Sequence, residues 1–437
     1  LKTDEIAYII KDGDNTAFFT AQKFAQIVAA IPAMIEGLQC YCIDGSIERF
    51  KEFEESVAVQ PVTPIDDESS GQLFLYSSGS TGRPKGILRP LPTIPPDEQS
   101  ASEQMLSKVW GFGPDTVYLH PAPLYHSAPI VHALVTLAFG GTFVLLRHFD
   151  PQLALESIDR YQVTICQWVP TMFIRMLKLP EDIRARQNLG SLKVAFHGAA
   201  PCPVDVKRSM LDWWGPIISE FYSATEANGY CRVTAEEWLK KPGTVGKPLS
   251  GEIHIIGEDG NEVPVNTPGT IYFGAGGEFE YHNDSEKNKE TRHPLGWTTV
   301  GDMGYVDEDG YLFLTDRRDF MIISGGVNIY PAEAENVLHA HPEVVDVAVI
   351  GVPNAEFGEE VKAIVQPAGM ALAGPELEAE LIRFCRDRIA DVKCPRSVDF
   401  VEALPRLPTG KLQKKLLRAP YWANAGELPG GRHKASL

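Results

Sequence analysis

Leu73-Phe-Leu-Tyr-Ser-Ser-Gly-Ser-Thr-Gly-Arg-Pro-Lys-Gly86 is the stretch of this chain whose chemistry is easiest to read. Leu73 to Tyr76 form an unalternated apolar run, which predicts a strand buried on both faces. The character then changes. Ser77, Ser78, Ser80 and Thr81 surround Gly79 and Gly82, with Arg83 and Lys85 close behind. Hydroxyls, unobstructed backbone N–H groups and two cations in one short loop are the equipment for holding a polyphosphate.

A Walker-type loop would need Ser or Thr directly after the lysine, and Gly86 stands there. Pro90, Pro92, Pro95 and Pro96 follow, so no helix can begin there to lend its N-terminal dipole. That argues against a P-loop NTPase. A plain Ser/Gly turn accounts for the segment equally well in isolation, so the rest of the chain must decide.

At 437 residues the chain is too long for one ordinary core, and two or more domains are expected. Its net charge of −18 argues against a nucleic-acid surface and leaves phosphate binding to local cations and dipoles. Seven scattered cysteines fit a reducing compartment. Ala128 to Leu146 carries no charge, but Gly140-Gly141 divide it into a helix too short for a bilayer and a following strand. The opening Leu1-Lys-Thr-Asp-Glu-Ile reads as mid-domain sequence.

Helix and strand patterns alternate downstream. Lys23 to Ile31 has helical spacing; Val163 to Val169, Thr171 to Leu179 and Leu192 to Phe196 predict a parallel sheet flanked by helices. Between and beyond them stand Pro123-Leu-Tyr-His126, His197-Gly-Ala-Ala-Pro201, Phe221-Tyr-Ser-Ala-Thr-Glu226 and Gly296-Trp-Thr-Thr-Val-Gly-Asp302. Asp309-Gly310 predicts a hairpin turn. After the charged stretch Thr315 to Phe320 the pattern becomes that of a small α+β domain. It has Pro331 in the first turn of a helix, and a helix from Pro375 with Leu377, Leu381, Phe384 and Ile389 on one face. Leu404-Pro-Arg-Leu-Pro-Thr-Gly-Lys411 lies near the end. Taken singly, His126 reads as a capping or buried histidine, Gly301-Asp302 as a turn and Lys411 as a solvated charge.

Together and in this order, these motifs resemble those of the adenylate-forming superfamily, which includes acyl-CoA synthetases, peptide-synthetase adenylation domains and luciferases. The resemblance implies an α/β fold: a large N-terminal domain of stacked mixed and parallel sheets flanked by helices, residues 1–316. A small mobile α+β C-terminal domain, residues 317–437, would carry the catalytic lysine. It further implies that the chain lacks the large domain's opening segment.

By that resemblance Ser77, Ser78, Gly79, Ser80, Thr81, Gly82 and Lys85 hold phosphates, while Gly198, Ala199 and Ala200 form the adenine turn. Tyr222 stacks on adenine next to Ser223, which replaces the family's glycine and would narrow the acyl pocket. Thr225 bonds a phosphate and Glu226 holds Mg²⁺, an ion that takes one or two carboxylates and completes its shell with phosphate oxygens and water. Asp302 and Arg317 hold ribose, His126 lies at the mouth of the acid pocket, and Lys411 is catalytic. Gly325 and Gly326 line the path of pantetheine. Trp168, Thr171 and Met172 are either acyl-pocket lining or plain core. Phe320 occupies a hinge position where the family often has Asp or Lys.

The implied activity is that of a cytoplasmic acid–CoA ligase, compatible with a homodimer and using ATP, Mg²⁺ and coenzyme A on a fatty or aromatic carboxylic acid. Peptide-synthetase domains usually carry an Asp near the P-L-x-H motif to pair a substrate ammonium, and none stands there. An amino-acid adenylation domain and a nucleotide-binding remnant without turnover are the alternatives.

Overall fold

The computed structural model describes residues 2–78, 84–317, 320–325, 327–407, 410 and 412–423. The backbone divides into two units: Leu1–Ser100 with Phe279–Glu290, and Ala101–Glu278 with Thr291–Leu437.

In the first unit the helix Thr3–Asp12 buries Ala7 and Ile10 in a cluster with Val28, Ile31, Cys40 and Cys42. The strands Ala17–Thr20, Gln39–Cys42 and Lys51–Glu52 pair in parallel. The single helix expected over Lys23 to Ile31 is instead broken into short turns, Gln22–Phe24, Ala25–Val28 and Ile31–Met34. Pro32 is the second residue of the last of these, because a residue without an N–H suits a helix's first turn and not its interior.

The run at Leu73 to Tyr76 also departs from expectation. The strand is Leu75–Ser78, half-buried, at the edge of a three-stranded sheet and not buried on both faces. It pairs antiparallel with Pro84–Leu88, Ser77 opposite Lys85, and Glu280–Tyr281 lies on the far edge. The physical reason is local. The chain doubles back within a few residues, a connection open to antiparallel pairs but not to parallel ones.

The second unit is built on a seven-stranded sheet. Its strand order is Lys247–Ser250, Tyr230–Val233, Ile218–Ser223, Val194–His197, Ile165–Trp168, Val117–His120 and Thr142–Leu145. The five strands from Ile218–Ser223 to Thr142–Leu145 run parallel and the other two antiparallel, the mixed arrangement anticipated. One face packs Trp168, Phe173, Met210 and Trp214 beneath the helices Pro170–Leu177 and Val204–Trp214. The other packs Trp110, Tyr118, Phe196 and Phe221 beneath Ala101–Trp110 and Ser127–Ala138. Because strand side chains alternate, Phe196 and His197 serve opposite faces.

A four-stranded antiparallel sheet follows: Glu252–Ile256, Gly269–Gly274, Asp302–Val306 and Leu312–Arg317. Gly310 turns the last hairpin at φ 81°. The C-terminal sheet centres on the antiparallel pair Val344–Asn354 and Gly358–Pro367. The helix Pro331–His339 does begin at its proline. Pro375–Arg386 buries Leu377, Leu381 and Cys385, whereas Phe384 sits half-exposed beneath Arg388, whose guanidinium is 3.6 Å from the ring centroid. No helix among the described residues is long and apolar enough to cross a membrane. The uncharged run Ala128 to Leu146 is the helix Ser127–Ala138 and the strand Thr142–Leu145.

Candidate active site

In open parallel sheets, ligands bind beyond the carboxyl ends of the strands. Here those ends are His120, Trp168, His197 and Ser223. His197 leads into the expected adenine turn. Gly198 is obligatory there, since a Cβ would stand 2.8 Å from both the ring and the carbonyl oxygen of Phe221. Ala199 takes φ 68°, a left-handed conformation that few non-glycine residues adopt.

Beneath the turn lies a buried charge cluster. Lys207 Nζ is 2.6 Å from Glu220 Oε2, and His197 Nε2 lies 3.4 Å from the same oxygen. Burial, with the Lys207 charge adding to it, holds the His197 imidazole well below its usual pKa and therefore neutral. Burial raises the Glu220 carboxyl against the opposing pull of the Lys207 ammonium. Neither Lys207 nor Glu220 was expected from sequence as a site residue. The available signal was a cation on an apolar helix face, in line with Met210, Leu211 and Trp214, and a carboxylate inside an apolar strand.

Tyr222 and Asp302, eighty positions apart, meet directly: the phenol donates to Asp302 Oδ2 at 2.8 Å. Asp302 is also the cross-strand partner of Arg317, so both ribose candidates occupy adjacent strand positions. Ser223 Oγ donates to the Gly229 carbonyl at 2.8 Å, tying back the loop that carries Thr225 and Glu226. That hydroxyl is committed to the loop. Glu226 is buried at 8 % exposure. Among the described residues no three His, Cys, Asp or Glu side chains gather as a metal cage. A single buried carboxylate still fits Mg²⁺, provided that substrate phosphates and water complete the shell.

His126 occupies the N-cap position of the helix Ser127–Ala138, its ring 4.4 Å from that of Tyr125. Trp168 and Met172 belong to the buried cluster beneath Pro170–Leu177. Thr171 faces outward enough to meet Gly410, where an added Cβ would lie 2.4 Å from its hydroxyl. Gly325 turns at φ 57° and donates its N–H to the Phe357 carbonyl.

In the first unit Lys85 is engaged by Asp284, Nζ to Oδ2 2.7 Å, and this bond holds the Asp284 carboxyl below its usual pKa. Asp284 was not anticipated, because its pairing crosses 199 positions of sequence. Gly79, Ser80, Thr81, Gly82, Gly326 and Lys411 lie outside the described residues, as do the side chains of Ser78 and Arg317.

Fold and site together define an adenylate-forming enzyme. Residues 1–278 match the AMP-binding enzyme family and residues 333–411 match the AMP-binding enzyme C-terminal domain, so the chain belongs to that family. It is 33 % identical over 370 residues to a 2-succinylbenzoate–CoA ligase of Bacillus licheniformis, covering 83 % of this chain and 73 % of that one. To a feruloyl-CoA synthase of an Amycolatopsis species it is 36 % identical over 354 residues, covering 80 % and 70 %. Among solved structures, ATP-bound MatB from Rhodopseudomonas palustris superposes with a TM-score of 0.82 at 30 % identity, covering 96 % of this chain and 82 % of that one.

Proposed function

We propose that this chain activates an aromatic carboxylic acid as its acyl-adenylate and transfers the acyl group to coenzyme A. It is an AMP-forming acid–CoA ligase. The observation that carries the reading is the Tyr222–Asp302 hydrogen bond, formed by the residues expected to receive adenine and ribose. The preference for an aromatic over a fatty acid rests on the relatives, a 2-succinylbenzoate–CoA ligase and a feruloyl-CoA synthase.

In the first half-reaction the carboxylate attacks the α-phosphorus of ATP and pyrophosphate leaves. An anion attacks an anion, so catalysis is mainly positioning and charge neutralisation. The Ser77–Lys85 stretch takes the departing phosphates, with Lys85 released from Asp284 to do so. Tyr222 and Asp302 orient the nucleoside, the Gly198–Ala200 turn borders adenine, and Thr225 donates to a phosphate oxygen. Glu226 would hold Mg²⁺, whose charge offsets that of the phosphates. Lys411 bridges the carboxylate and the α-phosphate. A single contact of this kind is typically worth about 3–4 kcal/mol, roughly 100- to 1000-fold in rate. In the second half-reaction Lys411 withdraws and the thiol of CoA, guided past Gly325 and Gly326, attacks the mixed anhydride and releases AMP. All seven cysteines are free, in keeping with a cytoplasmic enzyme.

Pyrophosphate release with a panel of benzoic, cinnamic, fatty and amino acids tests the reading. Release with aromatic acids, followed by thioester formation only when CoA is added, is the expected result. Release with amino acids alone would replace it with an amino-acid adenylation domain.

A further inference from the structure

One arginine ties down the residue that precedes Lys411 in the sequence. Arg406 meets the Asp346 carboxylate with two parallel bonds, Nε to Oδ2 and Nη2 to Oδ1, both 2.7 Å. Its third edge donates from Nη1 to the Gly410 carbonyl at 2.6 Å. A planar guanidinium held on one side by a carboxylate has no freedom left to move its other side, which an ammonium on a flexible stem would keep.

Backbone bonds join the described residues on either side of it. Arg406 and Leu412 form an isolated antiparallel bridge, Gln413 donates to the Pro405 carbonyl and Gly410 to that of Leu407. Asp346 belongs to the strand Val344–Asn354, which pairs along its length with Gly358–Pro367, so Arg406 is anchored to a hydrogen-bonded strand. Beyond it, Gly410 at φ 79° approaches Thr171 so closely that a side chain would not fit. The Asp346 carboxylate also faces His339, 3.9 Å away, and lies within electrostatic reach of Lys178, which follows the helix Pro170–Leu177.

We propose that Arg406, held by Asp346, is the positioning residue that sets where Lys411 stands during adenylation, and that it has no part in the thioester step. The inference rests on the reading of Lys411 as the adenylation lysine. A lysine reaches its target through a four-carbon stem, so the precision of its ammonium depends on how well its backbone is fixed. The bidentate pair fixes the residue immediately before it.

The test uses the full chain and separates the half-reactions: single-turnover acyl-AMP formation from acid and ATP, and thioester formation from supplied acyl-AMP and CoA. Misplacement of a catalytic group by about 1 Å costs on the order of 100-fold. Arg406→Gln is therefore expected to slow adenylation by about 10- to 100-fold, with KM for the acid unchanged and thioester formation intact. Asp346→Asn should act in the same direction, and Arg406→Lys should recover only part of the rate, since it keeps the charge but not the fork. Equal loss in both half-reactions would mark a merely structural role and overturn the proposal, as would no loss in either. Lys411→Ala is run in parallel. If it loses adenylation while Arg406→Gln does not, the clamp alone is wrong; if Lys411→Ala retains adenylation, the lysine assignment beneath it is wrong.

Discussion

The phenol of Tyr222 asks more of Asp302 than a passive hydrogen bond. A carboxylate has about four lone-pair sites, so the donor from Tyr222 need not displace the ribose hydroxyls proposed to reach Asp302. The bond fixes which way the carboxylate faces, which on the proposed reading orients it ahead of the nucleotide. A hydrogen bond to a charged group is worth about 1.5–3 kcal/mol net. Tyr222→Phe keeps the ring that would stack on adenine and removes only the orienting donor. Steady-state kinetics should then show KM for ATP rising by about tenfold, the equivalent of roughly 1.4 kcal/mol, with kcat little changed. A fall in kcat at constant KM would instead place the hydroxyl in the transition state. Candidates such as Tyr222-Ser-Ala-Thr-Glu226 were recognisable in the sequence because residue type and close spacing mark them out. Asp284 and Asp346 were not. Each is an ordinary surface-type carboxylate until the chain brings a distant Lys85 or Arg406 against it.

Elements were legible where one periodicity ran undisturbed. Val194–His197, Pro331–His339 and the Asp309-Gly310 hairpin came out as their patterns required. The strand Leu75–Ser78 did not, because four apolar residues say that a strand forms but not which neighbours cover it. The same limit hid the contact that ties the helix Val204–Trp214 to the strand Ile218–Ser223, the buried Lys207–Glu220 pair. Trp238 adds to it, its ring lying 4.8 Å from the Lys207 ammonium. Breaking a buried pair by removing one partner costs about 3–5 kcal/mol because a charge is left behind, whereas replacing both can be neutral. Lys207→Met should therefore lower the urea midpoint of the second unit sharply, and Lys207→Met combined with Glu220→Leu should restore most of it. If the double variant is as unstable as the single one, the pair is not what joins helix to strand.

At the scale of the whole molecule, acid should act chiefly through buried histidines. His120, His132 and His197 are each at most 2 % exposed. Burial lowers His120 to a pKa of about 3 and His132 to about 4, with His132 and His126 adding to the effect at His120 and the Ala128 carbonyl and Gln167 opposing it at His132. His197 is held well below its usual value by burial and Lys207. All three are neutral in the folded chain and would take up protons near pH 6.5 once unfolded. Their contribution is thus complete above about pH 6.5 and is lost as the pH falls toward 4, because there the unfolded state binds protons that the native state refuses. Each can contribute a slope of up to about 1.4 kcal/mol per pH unit across that window. Glu220, raised by burial, works in the opposite direction, but as one group against three. Thermal unfolding at fixed 0.15 M salt, which limits long-range charge effects to about 8 Å, should show a midpoint steady above pH 7 and falling by several degrees between pH 6.5 and 5. A midpoint that stays flat over that interval would mean that these imidazoles take up protons without leaving the fold.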